Sequence, residues 1–181
     1  MTNFFKTSPS TKQLAFISLF LSLFIFCCLS LLVIFKCPFL ISFDKNVSDF
    51  FFLRQNYLMI DLLSFFSFAG RPVLMILFIS LLTVYFYCRA AISEKRFFFF
   101  ILTIFSGNFV WIFIKELIKR QRPEHSFLKN SFSFPSGHST DVFIVLFLLV
   151  ILLETVNLKW KKTIILAFLL FSLVVAFSRI Y

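Results

Sequence analysis

The sequence predicts an all-α integral membrane protein, and three observations support this prediction. Sixty per cent of its 181 residues are hydrophobic, only three are glycine, and the apolar residues gather into runs of helix length. A soluble single domain needs more polar residues than this to cover its surface. A helix that crosses a bilayer needs about 20 mostly apolar residues, and somewhat fewer where long basic side chains flank its ends. The solvent for most of this chain is therefore lipid.

Five apolar stretches meet this requirement. The first runs from Leu14 to Phe35, and no small-residue cleavage site follows it, so we expect a retained span and not a removed signal peptide. The other four cover residues 72–87, 97–114, 142–153 and 163–177. We interpret the five stretches as transmembrane helices of a single domain that includes residues 1–181.

The segment from Tyr57 to Phe68 predicts one more helix. It is apolar except for Ser64, Ser67 and the acidic Asp61, and it is followed by Gly70-Arg71-Pro72. We interpret it as a helix that lies at the membrane interface, and the alternative is the first part of a long, broken second span. Pro72 suits the first turn of the next helix, where its missing N–H costs no hydrogen bond.

The distribution of charge indicates how the spans cross the membrane. The 18 Lys and Arg against 8 Asp and Glu give a net charge of +10, but the basic residues are scattered between apolar runs and form no continuous face for a nucleic acid. Alternating spans place the N-terminus and the two short basic loops around residues 89–96 and 159–162 on one side. The loop of residues 115–141, on the opposite side, carries even more basic residues. The density of three basic residues in each tight loop nevertheless favours the first side as cytoplasmic, so the loop of residues 115–141 should be extracytoplasmic.

The first candidate functional residues follow the third span. Lys115, Lys119 and Arg122 stand at positions i, i+4 and i+7, so on a helix that ends at Pro123 they share one face. Three cations on one face repel one another unless an anion lies among them, and Arg and Lys are the usual ligands of phosphate oxygens. The alternative is a basic helix end that is attracted to anionic lipid head groups.

The start of the fourth span predicts a second part of an anion site. Ser136, Ser139 and Thr140 can cap backbone N–H groups, and Gly137 allows the backbone to approach a ligand closely. The unpaired N–H groups and the dipole at a helix start favour a bound anion, and phosphate is a frequent one.

His138 stands within this helix start and could act on a bound phosphate. An imidazole that donates a proton near neutral pH suits the general acid for a leaving alkoxide, although a structural histidine at the interface is the alternative. We expect Asp141, three residues later, to be a favourable charge in the first helical turn rather than a catalytic acid.

Together these segments resemble a known family. The order Lys115-x6-Arg122-Pro123, then Pro135-Ser-Gly-His138, then Ser178-Arg179 is similar to the three-part signature of the type 2 phosphatidic acid phosphatase and vanadium haloperoxidase superfamily. The resemblance extends over essentially the whole chain. It implies a core of six transmembrane helices, of which the five predicted spans match the first five. The spans also argue against a soluble haloperoxidase.

The resemblance implies a role for each matching residue. Lys115, Arg122, Ser136, Gly137 and Arg179 would bind the substrate phosphate, and His138 would be the catalytic acid. A histidine of the third motif attacks phosphorus in this family and forms a phosphohistidine, with no metal or cofactor. Positioned cations stabilise the phosphoryl charge. The implied partners are a phosphorylated membrane lipid and the bilayer, with no nucleic acid.

The third motif of the family continues as Ser-Arg-x5-His-x3-Asp, whereas this sequence reaches only two residues past Arg179. We expect a C-terminal truncation, an incomplete gene model or a remnant, because the nucleophile and the sixth helix are missing. The other histidine, His125, belongs to the wrong motif to replace that nucleophile.

Three hypotheses remain open. The leading one is a lipid-phosphate phosphatase at the outer face of a bacterial cytoplasmic membrane, incomplete in these 181 residues. The second is a catalytically inactive membrane protein that binds phosphorylated lipid. The third, a transporter or small structural protein, finds little support because Asn108 and the pair Ser106-Gly107 are nearly the only polar or small residues of the third span. Polyprenyl pyrophosphate, phosphatidylglycerol phosphate, phosphatidic acid and lipid A phosphates are all possible substrates.

Overall fold

The computed structural model describes residues 9–122, 132–156 and 158–180, and every regular element in these ranges is an α-helix. This confirms the predicted all-α membrane class. In chain order the helices are α1 (Pro9–Ile34), α2 (Pro38–Phe52), α3 (Tyr57–Ala69), α4 (Pro72–Cys88), α5 (Glu94–Ile118), α6 (Gly137–Thr155) and α7 (Lys161–Phe177). The chain divides into two compact units, residues 1–43 and 44–181. The description of the chain as one domain stays a prediction.

Three of the described helices are long and apolar enough to cross a membrane: Phe16–Ile34 within α1, the whole of α5, and Gly137–Glu154 within α6. Helices α3 and α4 meet at a bend of 48° and pass the same test together, which fits a broken second span. Helix α7 coincides with the fifth predicted stretch, but it has only 17 residues. The number of five spans therefore stays a prediction.

Helix α2 has no counterpart among the predicted elements. It combines five phenylalanines with Asp44, Lys45 and Asp49, so it is too polar to be recognised as a span. Its apolar residues recur on one face, which makes it the most amphipathic of the described helices. The helical period of this segment was the signal that could have predicted it.

The core of the second unit surrounds α6, which packs against α4, α5 and α7. Val142, Leu148 and Leu152 of α6 are fully buried, and they meet Phe100 of α5 and Val175 of α7 in one hydrophobic cluster. Helix α3 packs against α7. This arrangement brings the start of α6 and the ends of α3 and α7 to the same end of the helical unit. In the first unit, the apolar side chains of α1 remain exposed, as expected for a helix surrounded by lipid.

Candidate phosphate-binding site

A cavity of about 800 Å³ lies in the second unit, at the end where α3 and α7 finish and α6 begins. Its walls come from α2, α3, the segment after α5, the start of α6 and the segment after α7. Four residues that the sequence predicts as site residues line this cavity, namely Arg122, Ser136, His138 and Arg179. The structure therefore brings residues from all three motifs to one space.

The start of α6 is organised by Ser136. This residue is the N-cap of the helix, and its Oγ accepts hydrogen bonds from the backbone N–H of Ser139 at 3.5 Å and from the Ser139 hydroxyl at 3.2 Å. Thr140 donates from its hydroxyl to the Ser136 carbonyl at 2.9 Å. The predicted capping is confirmed for Ser136, whereas the hydroxyls of Ser139 and Thr140 donate to oxygens of Ser136. The cap fixes the half-buried His138 two residues later, on the cavity wall.

Gly137 is buried behind this wall and does not line the cavity. A Cβ atom at this position would lie 2.8 Å from the ring of Trp111, closer than such atoms approach. The close packing of α6 on α5 at this point therefore requires a glycine. The predicted contact of its backbone with a ligand stays a prediction.

The prediction that Lys115, Lys119 and Arg122 share one helix face is wrong. Helix α5 ends at Ile118, and Lys119 has a left-handed backbone with φ of 49°. The chain turns here because the Arg120 carbonyl accepts the N–H of Ser133 at 2.8 Å, which pairs this segment with the residues that precede α6. Pro123, the predicted end of the helix, lies outside the described residues.

Lys115 lies beside the cavity rather than in its wall. Its Nζ is 5.5 Å from the centre of the Trp111 ring, a cation–π contact that holds the half-buried side chain against α5. Arg122 and Arg179 are both within electrostatic range of this ammonium group. A ligand that bridges these cations would remove the repulsion among them.

Arg179 follows the end of α7, and its Nη1 donates a hydrogen bond to Ser67 Oγ of α3 at 2.9 Å. Burial lowers the pKa of the Arg179 guanidinium, and the nearby positive charge of Arg122 lowers this pKa further. Burial also lowers the pKa of Arg122. Both groups remain charged near neutral pH because arginine titrates several units higher. The two guanidinium groups create a strong positive potential in a half-buried space.

Two features of the cavity were missed by sequence reasoning. Asp44 of α2 forms an ion pair with Arg120, and both residues line the cavity. Arg71, between α3 and α4, also lines it and stacks on the ring of Phe68 at 4.5 Å from the ring centre. A single basic residue between Gly70 and Pro72, at the head of an apolar helix, was the available signal for Arg71. The Asp44–Arg120 pair left no local signal.

Asp141 was expected to be a favourable charge in the first turn of its helix, but it is the fifth residue of α6, and no acidic residue lies in the first turn of this helix. Its side chain is only 1% exposed, and neither carboxyl oxygen has a hydrogen bond within the described part of the chain. Trp111 lies beside it. The indole N–H of Trp111, however, donates to Asn108 Oδ1 at 3.1 Å. Asp141 is therefore a buried and unsatisfied carboxyl group behind the cavity.

Comparisons with known proteins agree with this geometry. The family model described as the PAP2 superfamily matches residues 96–181, which include all three motifs. Among solved structures, the chain is similar to the crystal structure of the first transmembrane PAP2 type phosphatidylglycerolphosphate phosphatase from Bacillus subtilis. The TM-score is 0.68 and the identity 23%, over 89% of this chain and 81% of that chain, a likeness that shows a shared fold. No curated protein sequence matches the chain at a significant level.

Proposed function

Because residues 96–181 place this chain in the PAP2 superfamily, in agreement with the three motifs, we propose that it is an integral membrane lipid-phosphate phosphatase. The observation that carries this proposal is the convergence of Arg122, Arg179 and the start of α6 on one cavity. These three features come from distant parts of the chain. Two arginines and a helix start in one cavity would repel one another's positive charge, and a bound anion gives a physical reason for their meeting.

The cavity offers a phosphate dianion three kinds of interaction. Arg122 and Arg179 can donate paired N–H groups to its oxygens, and Lys115 can add a point charge from the side. The unpaired N–H groups at the start of α6 would add a third interaction, because the helix dipole favours negative charge at this end. These interactions also stabilise the charge that develops on a phosphoryl group in transfer.

The proposed reaction is a displacement in two steps. An imidazole nitrogen attacks phosphorus, the bond between phosphorus and the lipid oxygen breaks, and His138 donates a proton to the departing alkoxide. Water then attacks the phosphohistidine, which breaks the P–N bond and releases phosphate. In the superfamily pattern the attacking histidine stands six residues after the arginine that corresponds to Arg179, a position beyond the 181 residues of this sequence.

We propose further that the cavity opens at the outer face of a bacterial cytoplasmic membrane. The lipid tail would remain among the aromatic side chains of the spans while the head group enters the cavity. Phosphatidylglycerolphosphate, the substrate in the name of the similar Bacillus subtilis protein, is one candidate substrate. A chain that binds lipid phosphate without turnover is the alternative, since the binding residues all lie within the 181 residues.

Phosphate release in EDTA tests the proposal. The 181-residue chain and a version that continues with a histidine and an aspartate at the superfamily spacing, followed by a sixth apolar helix, are purified and given a short-chain lipid phosphate. We expect the 181-residue chain to bind the lipid without releasing phosphate, and the longer version to release phosphate without added metal. Losing a nucleophile costs several orders of magnitude in rate.

Two variants of the longer version separate binding from chemistry. Lys115→Ala should weaken binding of the lipid phosphate, whereas His138→Ala should keep binding within a few-fold and lower the rate of phosphate release by about a hundredfold or more. Robust release by the 181-residue chain would show that the nucleophile is misassigned, with His125 or His138 as the next candidates. Activity that requires Mg²⁺ would contradict the mechanism without metal.

A further inference from the structure

One wall of the cavity contains no residue of the three motifs. It is formed by the second half of α3 and the short link to α4, where Ser64, Ser67 and Arg71 line the cavity. Arg71 adds a guanidinium group that the superfamily signature does not include. Its charge is within electrostatic range of His138, as are the charges of Arg122 and Arg179.

The backbone that carries Arg71 is held against α7. A Cβ atom at Gly70 would lie 2.6 Å from a methyl group of Val175, so α3 and α7 are in very close contact at this point. The N–H of Arg71 donates to the Phe68 carbonyl at 3.1 Å, and Pro72 begins α4 immediately afterwards. One helical turn beyond Val175, Arg179 is bound to Ser67. Arg71 and Arg179 therefore project from two rigidly connected segments.

The charges in the cavity exceed what one phosphate requires. Four arginines line it, against Asp44 as the single carboxylate among the described lining residues, and Asp44 is paired with Arg120. No carboxylate of the described residues forms an ion pair with Arg71, whose guanidinium lies 4.5 Å from the centre of the exposed Phe68 ring. A phosphomonoester carries at most two negative charges, and the motif residues Lys115, Arg122 and Arg179 already supply three positive ones.

We propose that Arg71 binds a second phosphate group of the substrate, next to the phosphate held by the motif residues. The inference rests on the proposed function and restricts the class of lipid phosphate that serves as the substrate. The substrate class is then a lipid whose head group carries two neighbouring phosphates, and phosphatidic acid, with one phosphate, fits this cavity less well. The hydroxyl groups of Ser64 and Ser67 are available on the same wall to donate to the second phosphate or to its bridging atoms.

Two head-group chemistries satisfy this description. In a prenyl diphosphate the two phosphates share a bridging oxygen, whereas in phosphatidylglycerol phosphate a glycerol unit separates them. Both would place one phosphate at Arg122 and Arg179 and the other toward Arg71. The ligand pairs in the experiment distinguish them.

Binding to the purified 181-residue chain in detergent tests the inference without requiring turnover. Dissociation constants are measured calorimetrically for two matched pairs: farnesyl phosphate with farnesyl diphosphate, and dihexanoyl phosphatidic acid with dihexanoyl phosphatidylglycerol phosphate. Farnesol and dihexanoyl glycerol report binding of the tails alone. The variants are Arg71→Gln, the conservative Arg71→Lys, and Arg54→Gln as a control, since Arg54 also stacks on a phenylalanine, Phe50, but does not line the cavity.

We expect at least one two-phosphate ligand to bind about tenfold more tightly than its one-phosphate partner. Arg71→Gln should remove this difference while it changes the affinity for the one-phosphate ligand less than threefold. Arg71→Lys should retain part of the difference, and Arg54→Gln all of it. The pair that shows the difference identifies the head-group chemistry.

Two results would overturn the inference while leaving the proposed function intact: equal binding of both members in each pair, or an equal loss for both members in Arg71→Gln. A different result would overturn the proposed function as well, namely phosphorylated ligands that bind no better than farnesol and dihexanoyl glycerol. Size-exclusion chromatography of each variant verifies that it is folded.

Discussion

Arg179 donates a hydrogen bond of 2.9 Å from Nη1 to Oγ of Ser67, which lies 112 residues earlier in the chain. This bond connects the third motif to a helix that contains no motif. It directs a half-buried guanidinium into the cavity and restricts the rotamers of a long side chain.

Ser67→Ala should therefore weaken the binding of a lipid phosphate, because Arg179 loses the partner that orients it. We expect the dissociation constant to rise about three- to tenfold, as for loss of one ordinary hydrogen bond, because the lost bond orients Arg179 and is not itself made to the ligand. Calorimetry with dihexanoyl phosphatidic acid measures the change. Ser172→Ala is the matched control, since Ser172 bonds within its own helix, to the Phe168 carbonyl at 2.8 Å, and does not line the cavity. Unchanged affinity in Ser67→Ala would show that Arg179 needs no orientation.

Asp44→Asn should strengthen the binding of anionic ligands. The change removes the single carboxylate among the described residues of the cavity wall and leaves the charge of Arg120 available. Both side chains are about one-third exposed, 27% for Arg120 and 32% for Asp44, so water weakens the effect and we expect only a few-fold gain in affinity. Titration with inorganic phosphate at two salt concentrations measures it. Asp61→Asn, on the exposed surface of α3 and outside the cavity, should leave the affinity unchanged, and a loss of affinity in Asp44→Asn would contradict the prediction.

Asp141→Asn should raise the stability of the protein at neutral pH. Folding places this carboxyl group, 1% exposed and without a hydrogen bond among the described residues, in a place where its charge is poorly solvated. A neutral amide of the same shape removes about 1–3 kcal/mol of this cost. The midpoint of thermal unfolding in detergent reports the change, with Asp61→Asn on the exposed surface of α3 as control. A clearly lower midpoint would mean that the carboxylate has a partner, such as a bound cation or lipid.

Reporter fusions test the predicted orientation. A reporter placed after Glu154 should behave as cytoplasmic, and one inserted near Lys129 as extracytoplasmic, if the loop that precedes α6 faces outward. Alkaline phosphatase and green fluorescent protein report the two sides with opposite signals. The reverse pattern would place the cavity inside the cell and exclude lipids of the outer leaflet as substrates.

The local features of this molecule could be predicted from its sequence, and the long-range ones could not. The capping by Ser136 and the place of Pro72 in the first turn of α4 depend on neighbouring residues and agree with the structure. The Asp44–Arg120 pair joins residues 76 positions apart, so it depends on how helices pack. Periodicity in one sequence does not specify that packing.

The end of α5 is a second case in which a long-range contact decided the structure, and here the local prediction was wrong. The residues from Lys115 to Arg122 contain neither glycine nor proline, so a continuing helix was the reasonable local prediction. The structure ends the helix earlier because Arg120 and Gln121 offer their carbonyl oxygens to Ser133, a partner more than ten residues away. A tertiary hydrogen bond replaced the helical ones.

The left-handed residue Lys119 changes how the spacing between Lys115 and Arg122 should be understood. In a continuous helix, one inserted residue would rotate Arg122 by about 100° around the axis and remove it from the face of Lys115. The helix ends at Ile118, so an inserted residue would lie in the non-helical segment that follows. It would lengthen this segment by about 3.5 Å without rotating Lys115. The distance between Lys115 and Arg122 therefore depends on the length of the non-helical segment between them and not on a rotation about the helix axis. An added residue in this segment would therefore change how far Arg122 can reach and leave the orientation of Lys115 unchanged.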